Sequence, residues 1–142
     1  MGFLNALTGG AATIQMNLQK TRFAAGENIL AWITVTANDN INAEAIVLHI
    51  YAVEQTHEVR CNRCNQNVMG HNETVFNNEI NIAGPQQMFR GEVRQFQGAI
   101  MVPQGIAPTY MGRHATNRWY LEARVKMFGN DPDTKIEIQI FG

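Results

Sequence analysis

The stretch Trp119-Tyr120-Leu121-Glu122-Ala123-Arg124-Val125-Lys126-Met127 decides the fold class. Trp119, Leu121, Ala123, Val125 and Met127 alternate with residues that carry a polar or charged end. A period of two puts successive side chains on opposite faces, so this segment predicts a β-strand with one buried face. Working outward, Ile14, Met16 and Leu18 show the same alternation, as do Phe96, Gly98, Ile100 and Val102, and then Ile136, Ile138 and Ile140. Asn28–Thr36 is rich in Ile, Trp, Thr and Val, and Thr74–Ile82 also reads as a strand. Around Ile46, Leu48 and Ile50 the intervening residues Val47, His49 and Tyr51 are mostly apolar too, which predicts a central strand.

Turn signals separate these runs. Ala24-Ala25-Gly26-Glu27 has Gly where a type II turn needs positive φ. Asn38-Asp39-Asn40, Ala83-Gly84-Pro85, Pro103-Gln104-Gly105 and Asn130-Asp131-Pro132-Asp133 are further breaks. No segment of 12 or more residues has an uninterrupted helical period. Seven or eight strands with regular turns predict an all-β, antiparallel sandwich of immunoglobulin-like type. Residues 1–142 are expected to form one domain, with 1–11 a short N-terminal cap, a turn or helix built on Phe3, Leu4 and Leu7.

Composition narrows the function classes. The 142 residues carry a net charge of −1, and charged residues are 16% of the chain, against a usual ~25%. Amides fill the gap, with 15 Asn and 10 Gln. A nucleic-acid binder needs clustered Lys and Arg, so that class is set aside. No apolar run is long enough to span a membrane. Met1–Ala12 lacks the basic start of a secretion signal, and with only two cysteines the expectation is a reducing, cytoplasmic setting.

Several turn and strand-end segments resemble the arrestin-like superfamily. Lys20-Thr21-Arg22-Phe23-Ala24-Ala25-Gly26-Glu27 looks like the family's K-x-x-Y-x-P-G-E, with Ala25 in place of Pro. Ile100-Met101-Val102-Pro103 resembles F-x-L-P, Ala107-Pro108-Thr109-Tyr110 resembles P-P-S-Y, and Trp119-Tyr120-Leu121-Glu122-Ala123 resembles Y-x-L-x-A. The opening Phe3-Leu4 through Gly10-Ala11-Ala12-Thr13 and the ending Met127 to Ile140 are similar to the bacterial sporulation-control branch. The resemblance implies a non-enzymatic adaptor or scaffold that binds a protein partner, with a stress or sporulation-type regulatory role. It makes Gly26, Pro103, Pro108, Tyr110 and Trp119 determinants of the fold rather than of chemistry. Such proteins usually carry two sandwiches in tandem, and this chain has room for one. Lys20 and Arg22 read as solvated turn charges rather than phosphate sensors.

One chemical constellation stands out. His57, Cys61, Cys64 and His71 are spaced His-x3-Cys-x2-Cys-x6-His. A Cys-x2-Cys knuckle can present two thiolates to a tetrahedral zinc, and two histidines could complete it. Three readings stay open. The thiols are free in an exposed loop; or they hold a structural zinc, within one chain or as Cys pairs shared across a dimer; or they form a redox pair, which would normally open a helix.

Enzyme readings fare worse. The chain contains no serine, so Ser-His-Asp chemistry is excluded, and the His-x-His pair of a cupin-type metal enzyme is absent. His49 reads as a hydrogen-bonded sheet residue and His114 as a loop residue. A carbohydrate-binding sandwich is the alternative to the adaptor, using Trp32, Trp119, Tyr110 and Tyr120 among the amides, although Trp119 alternates with core-like residues. Exposed sheet edges with few charges predict a homo-oligomer, most simply a C2 dimer. The loops Asn38–Asn42, Cys61–Asn72 and Gln104–Arg118 are the expected contact surfaces.

Overall fold

The computed structural model describes residues 3–7, 10–56, 59–60, 67–68, 72–113, 115–129 and 131–142, with backbone alone at 3–7, 59–60 and 67–68. Among the described residues thirteen strands follow one another: β1 Phe3–Leu7, β2 Ala12–Leu18, β3 Arg22–Ala24, β4 Asn28–Ala37, β5 Ile41–Thr56, β6 Val59–Arg60, β7 Asn67–Val68, β8 Asn72–Ala83, β9 Gln86–Met88, β10 Val93–Met101, β11 Tyr110–Met111, β12 Ala115–Met127 and β13 Asp133–Phe141. Seven of them, β2, β4, β5, β8, β10, β12 and β13, have seven residues or more. These are the strands that the alternating runs predicted.

Two sheets build the sandwich. The smaller has the order β1-β2-β4-β10, and the larger β3-β13-β12-β5-β8, with β11 on β12 and β9 on β5. β5 pairs with β12 on one side and β8 on the other, the central place that its apolar run predicts. All these pairings are antiparallel except one. β3 runs parallel to the end of β13, with Arg22 opposite Gln139 and Phe23 opposite Ile140. No helix among the described residues is long and apolar enough to cross a membrane.

The N-terminal segment departs from expectation. Phe3–Leu7 is a strand paired with β2 from Phe3↔Leu18 to Leu7↔Ile14, rather than a turn or helix. Pairing with β2 satisfies a run of backbone groups that a short isolated helix would leave open. Gly10, at φ 66°, lies in the connection between the two strands.

The core lies between the inner faces. Ile14, Met16 and Leu18 of β2 and Ile29, Ile33 and Val35 of β4 meet Ile46, Leu48 and Ile50 of β5 and Leu121 and Val125 of β12, all fully buried. Burying each such side chain stabilises the fold by about 1.5–3 kcal/mol. On the inner face of β10, Gly98 is required by closeness. A Cβ there would come 2.6 Å from Ile82 Cγ2 of β8, so the missing side chain lets the edges of the two sheets meet.

The Gly26 turn shows why its motif has this composition. Gly26 has φ 84°, and Glu27 N–H donates to the Ala24 carbonyl at 3.1 Å. Glu27 also accepts from Ala24 N–H at 2.9 Å and pairs with Lys20. The Lys20 ammonium and the Ala24 N–H hold its carboxyl below the usual range. The turn is tied to the end of β10, with Gly26 N–H donating to Val102 O at 2.9 Å and Val102 N–H to Glu27 O at 2.8 Å. Ala25, standing where the family has Pro, keeps an N–H that donates to Phe141 O at 3.0 Å. Gly26→Ala should cost about 1–2 kcal/mol, because an L side chain pays that much in a left-handed conformation. A loss of a few degrees in the thermal midpoint would show it. An unchanged midpoint would mean that the turn relaxes into another conformation.

Candidate functional site

The sandwich has two unlike outer faces. On the smaller sheet the outward positions are Thr13, Gln15 and Asn17 on β2, with Asn28, Leu30, Trp32, Thr34 and Thr36 on β4. Val93, Gln95, Gln97, Ala99 and Met101 follow on β10. None of them is charged. The register lines them up in cross-strand rows: Asn17, Trp32 and Gln97 in one, Gln15, Thr34 and Gln95 in the next. A depression of about 470 Å³ sits over these two rows. Trp32, partly exposed, lies among its lining.

The larger sheet faces outward with charge. Glu79 of β8 pairs with Arg124 at 3.1 Å and Lys126 at 2.9 Å on β12. These two cations hold the Glu79 carboxyl below its ordinary range, Lys126 foremost. His49 lies between Asn77, whose Oδ1 meets Nε2, and Glu122, whose Oε1 is 3.3 Å from Nδ1. Burial pushes the Glu122 carboxyl up, and a hydrogen bond with Asp133 pushes it further. The His49 ring stacks on Tyr51 at 4.8 Å, Tyr51 on Tyr120 at 5.3 Å, and Lys135 lies over Tyr120 at 5.2 Å. His49 is therefore a sheet-surface residue inside a hydrogen-bonded row, as its isolation in the sequence suggested.

Of the residues expected to determine the fold, Pro108 and Tyr110 lie along the segment that joins β10 to β12, and Trp119 of β12 is bonded to it. Trp119 is 1% exposed and its Nε1–H donates to Ala107 O at 3.1 Å. Asn117, fully buried, donates to Ala107 O at 3.0 Å and Pro108 O at 2.9 Å. Thr109 exchanges two bonds with Ile140, one through its backbone N–H and one through Oγ1. Ala107-Pro108-Thr109 is thereby a strap fastened to β12 and β13. Tyr110 stands at the rim, its hydroxyl donating to Glu54 at 3.2 Å, and Pro103 follows Val102 where β10 hands over to the Gly26 turn. Asn117 was not singled out from sequence. The signal was there: it occupies the inward phase of the alternation that runs through Trp119 and Leu121.

The four aromatic residues considered for sugar stacking are not brought together. Trp119 is in the core, Tyr120 and Tyr110 belong to the larger sheet, and Trp32 alone is on the uncharged face. Of the expected contact loops, Asn38 and Asn40 are engaged in local bonds to Gly10, Thr13 and Arg90, while Met111 is 81% exposed. His57, Cys61, Cys64 and His71 all lie outside the described residues. In sequence the two cysteines fall between β6 and β7, which pair Val59 with Val68 and Arg60 with Asn67. Among the described residues no group of three or more His, Cys, Asp or Glu is placed to hold a metal ion.

The open edges complete the surface. Among the described residues β8 borders the larger sheet and pairs with β5 alone along its length. Its first eight residues, Asn72 to Glu79, are exposed except Phe76, which turns inward to Trp119 at 5.5 Å.

No family model matches the chain, and neither does any curated protein. Solved structures do. Spo0M, the sporulation control protein from Bacillus subtilis, superposes with a TM-score of 0.69 at 16% identity, over 94% of this chain and 50% of its own. The chain thus spans half the length of that protein, and over that span it has the same fold, the arrestin-like β-sandwich.

Proposed function

We propose that this chain is a non-enzymatic protein-interaction module that engages its partner by strand addition along β8, the simplest partner being a second copy. The observation that carries this reading is the edge itself. β8 is twelve residues long, lacks Pro and Lys, and has only Glu73 and Glu79 as charges. Glu79 is already neutralised by Arg124 and Lys126. Sheet edges are normally blunted by Lys, Pro or bulges; β8 bulges against β5 at Val75 and Ile82, and the regular run between them, Phe76 to Asn81, free of Lys and Pro, is the template for another strand. A low net charge leaves little repulsion between copies. A sporulation-type regulatory role is supported by the likeness to Spo0M, a sporulation control protein, whereas a stress-type role rests on the sequence resemblance and a cytoplasmic setting on the cysteine usage.

The test is mass in solution. Light scattering at micromolar concentration should give two chains, and Val75→Lys should give one. Val75 is 46% exposed, so the substitution leaves the core alone. The expected weakening of self-association is at least about tenfold, since a charge must then be buried or the pairing abandoned. A single-chain mass for the unmodified protein, or a dimer indifferent to Val75→Lys, would count against pairing at this edge.

A further inference from the structure

We propose that the uncharged outer face of the β2-β4-β10 sheet is a binding site for a neutral glycan chain, with Trp32 as its stacking platform. The inference is independent of strand pairing at β8. It starts from what the face lacks. Charged residues are absent from every outward position of these three strands, while the other sheet's outer face carries Glu79, Glu122, Arg124 and Lys126. A phosphate or carboxylate ligand would call for Lys or Arg. A cationic one would call for carboxylates beside the ring. An uncharged polyol needs neither.

The groups present suit it. Gln15, Asn17, Gln95 and Gln97 each offer a donor and an acceptor, the combination that matches a sugar hydroxyl. Among the described residues these four side chains and the Trp32 indole make no side-chain hydrogen bond, whereas the polar groups opposite are bound into ion pairs and bonds of their own. Trp32 sits in the row between Asn17 and Gln97, so a pyranose resting its C–H face on the indole would have an amide on either side. The depression, about 470 Å³, is within the size of small-ligand sites, about 300–1,000 Å³. A second copy fits less well. The rows lining the hollow are amides and threonine around a single indole, whereas the centres of lasting interfaces are apolar; the exposed apolar side chains of this face, Leu30, Val93 and Met101, lie outside those rows.

The chain carries its own reporter, because Trp119 is buried and acrylamide quenching reads Trp32. Cellohexaose or laminarihexaose should protect the fluorescence from acrylamide. Trp32→Ala should weaken retention on the corresponding insoluble glucans at least about tenfold, and Gln97→Ala about two- to tenfold, the worth of one hydrogen bond. Both variants should keep the thermal midpoint of the parent within a few degrees, since both positions face outward. Unchanged quenching with either sugar up to about 10 mM, where a millimolar site would be filled, would overturn the proposal. So would a dimer that dissociates on Trp32→Ala, which would make this face a contact between copies.

Discussion

Trp119→Ala is expected to destabilise the fold by about 3–5 kcal/mol, a large share of the 5–15 kcal/mol that holds a domain of this size together. Trp119 is 1% exposed at the middle of β12, with neighbours from both sheets. Truncation leaves a void that Phe76 on β8, at 5.5 Å, cannot fill without leaving its own place against β5. It also removes the indole N–H that donates to Ala107 O. Trp119→Phe separates the two losses. It keeps much of the ring volume and gives up the hydrogen bond, so it should cost about 1–2 kcal/mol. Urea unfolding of the three proteins, with coincident slopes, would measure both. A Trp119→Ala protein within about 1 kcal/mol of the parent would contradict the burial of this side chain.

These energies bear on what could be read from sequence. The phase of β12 was legible because burial at every second residue leaves an apolar trace: Trp119, Leu121, Ala123 and Val125 are buried, and Met127, expected with them, is half-buried at the strand's end, while Thr116 and Asn117 are buried although polar. The Gly26 turn was legible because positive φ restricts the residue type. The pairing partners were not, since alternation says which side chains share a face and not which strand lies alongside. The parallel contact of β3 with β13 joins residues more than a hundred apart and follows from the closing of the sandwich. The neutral face was half legible. Trp32 was noticed, but its partners Gln15, Asn17, Gln95 and Gln97 become a group only when β2, β4 and β10 are placed in register. The segment Phe3–Leu7 was misread because its apolar spacing suits a helix turn, while β2 offers it an edge.

The same logic gives Asn117→Asp its expected effect, which should exceed that of Asn117→Ala. Asn117 is fully buried and its amide acts as a donor: both bonds run from Nδ2, to Ala107 O and Pro108 O, and Oδ1 has no partner among the described residues. Alanine forfeits the two bonds, and Ala107 O still receives the Trp119 indole, so the cost is about 1–3 kcal/mol. Aspartate forfeits them too and sets a carboxylate against two carbonyl oxygens. A buried charge with no partner raises the cost at neutral pH to about 3–5 kcal/mol. The penalty falls on the ionised form alone, so the folded-state pKa of this Asp must lie above its unfolded value of about 3.9. Between those two values the folded state binds more protons than the unfolded one, so stability must rise as the pH falls. Unfolding curves taken at neutral pH and near pH 4 should therefore converge for Asn117→Asp and Asn117→Ala, because the protonated acid can donate again to one of the carbonyls. A difference between the two variants that stays constant over that range would mean that the carboxylate escapes to solvent, and that the strap at Ala107-Pro108 is not held from β12.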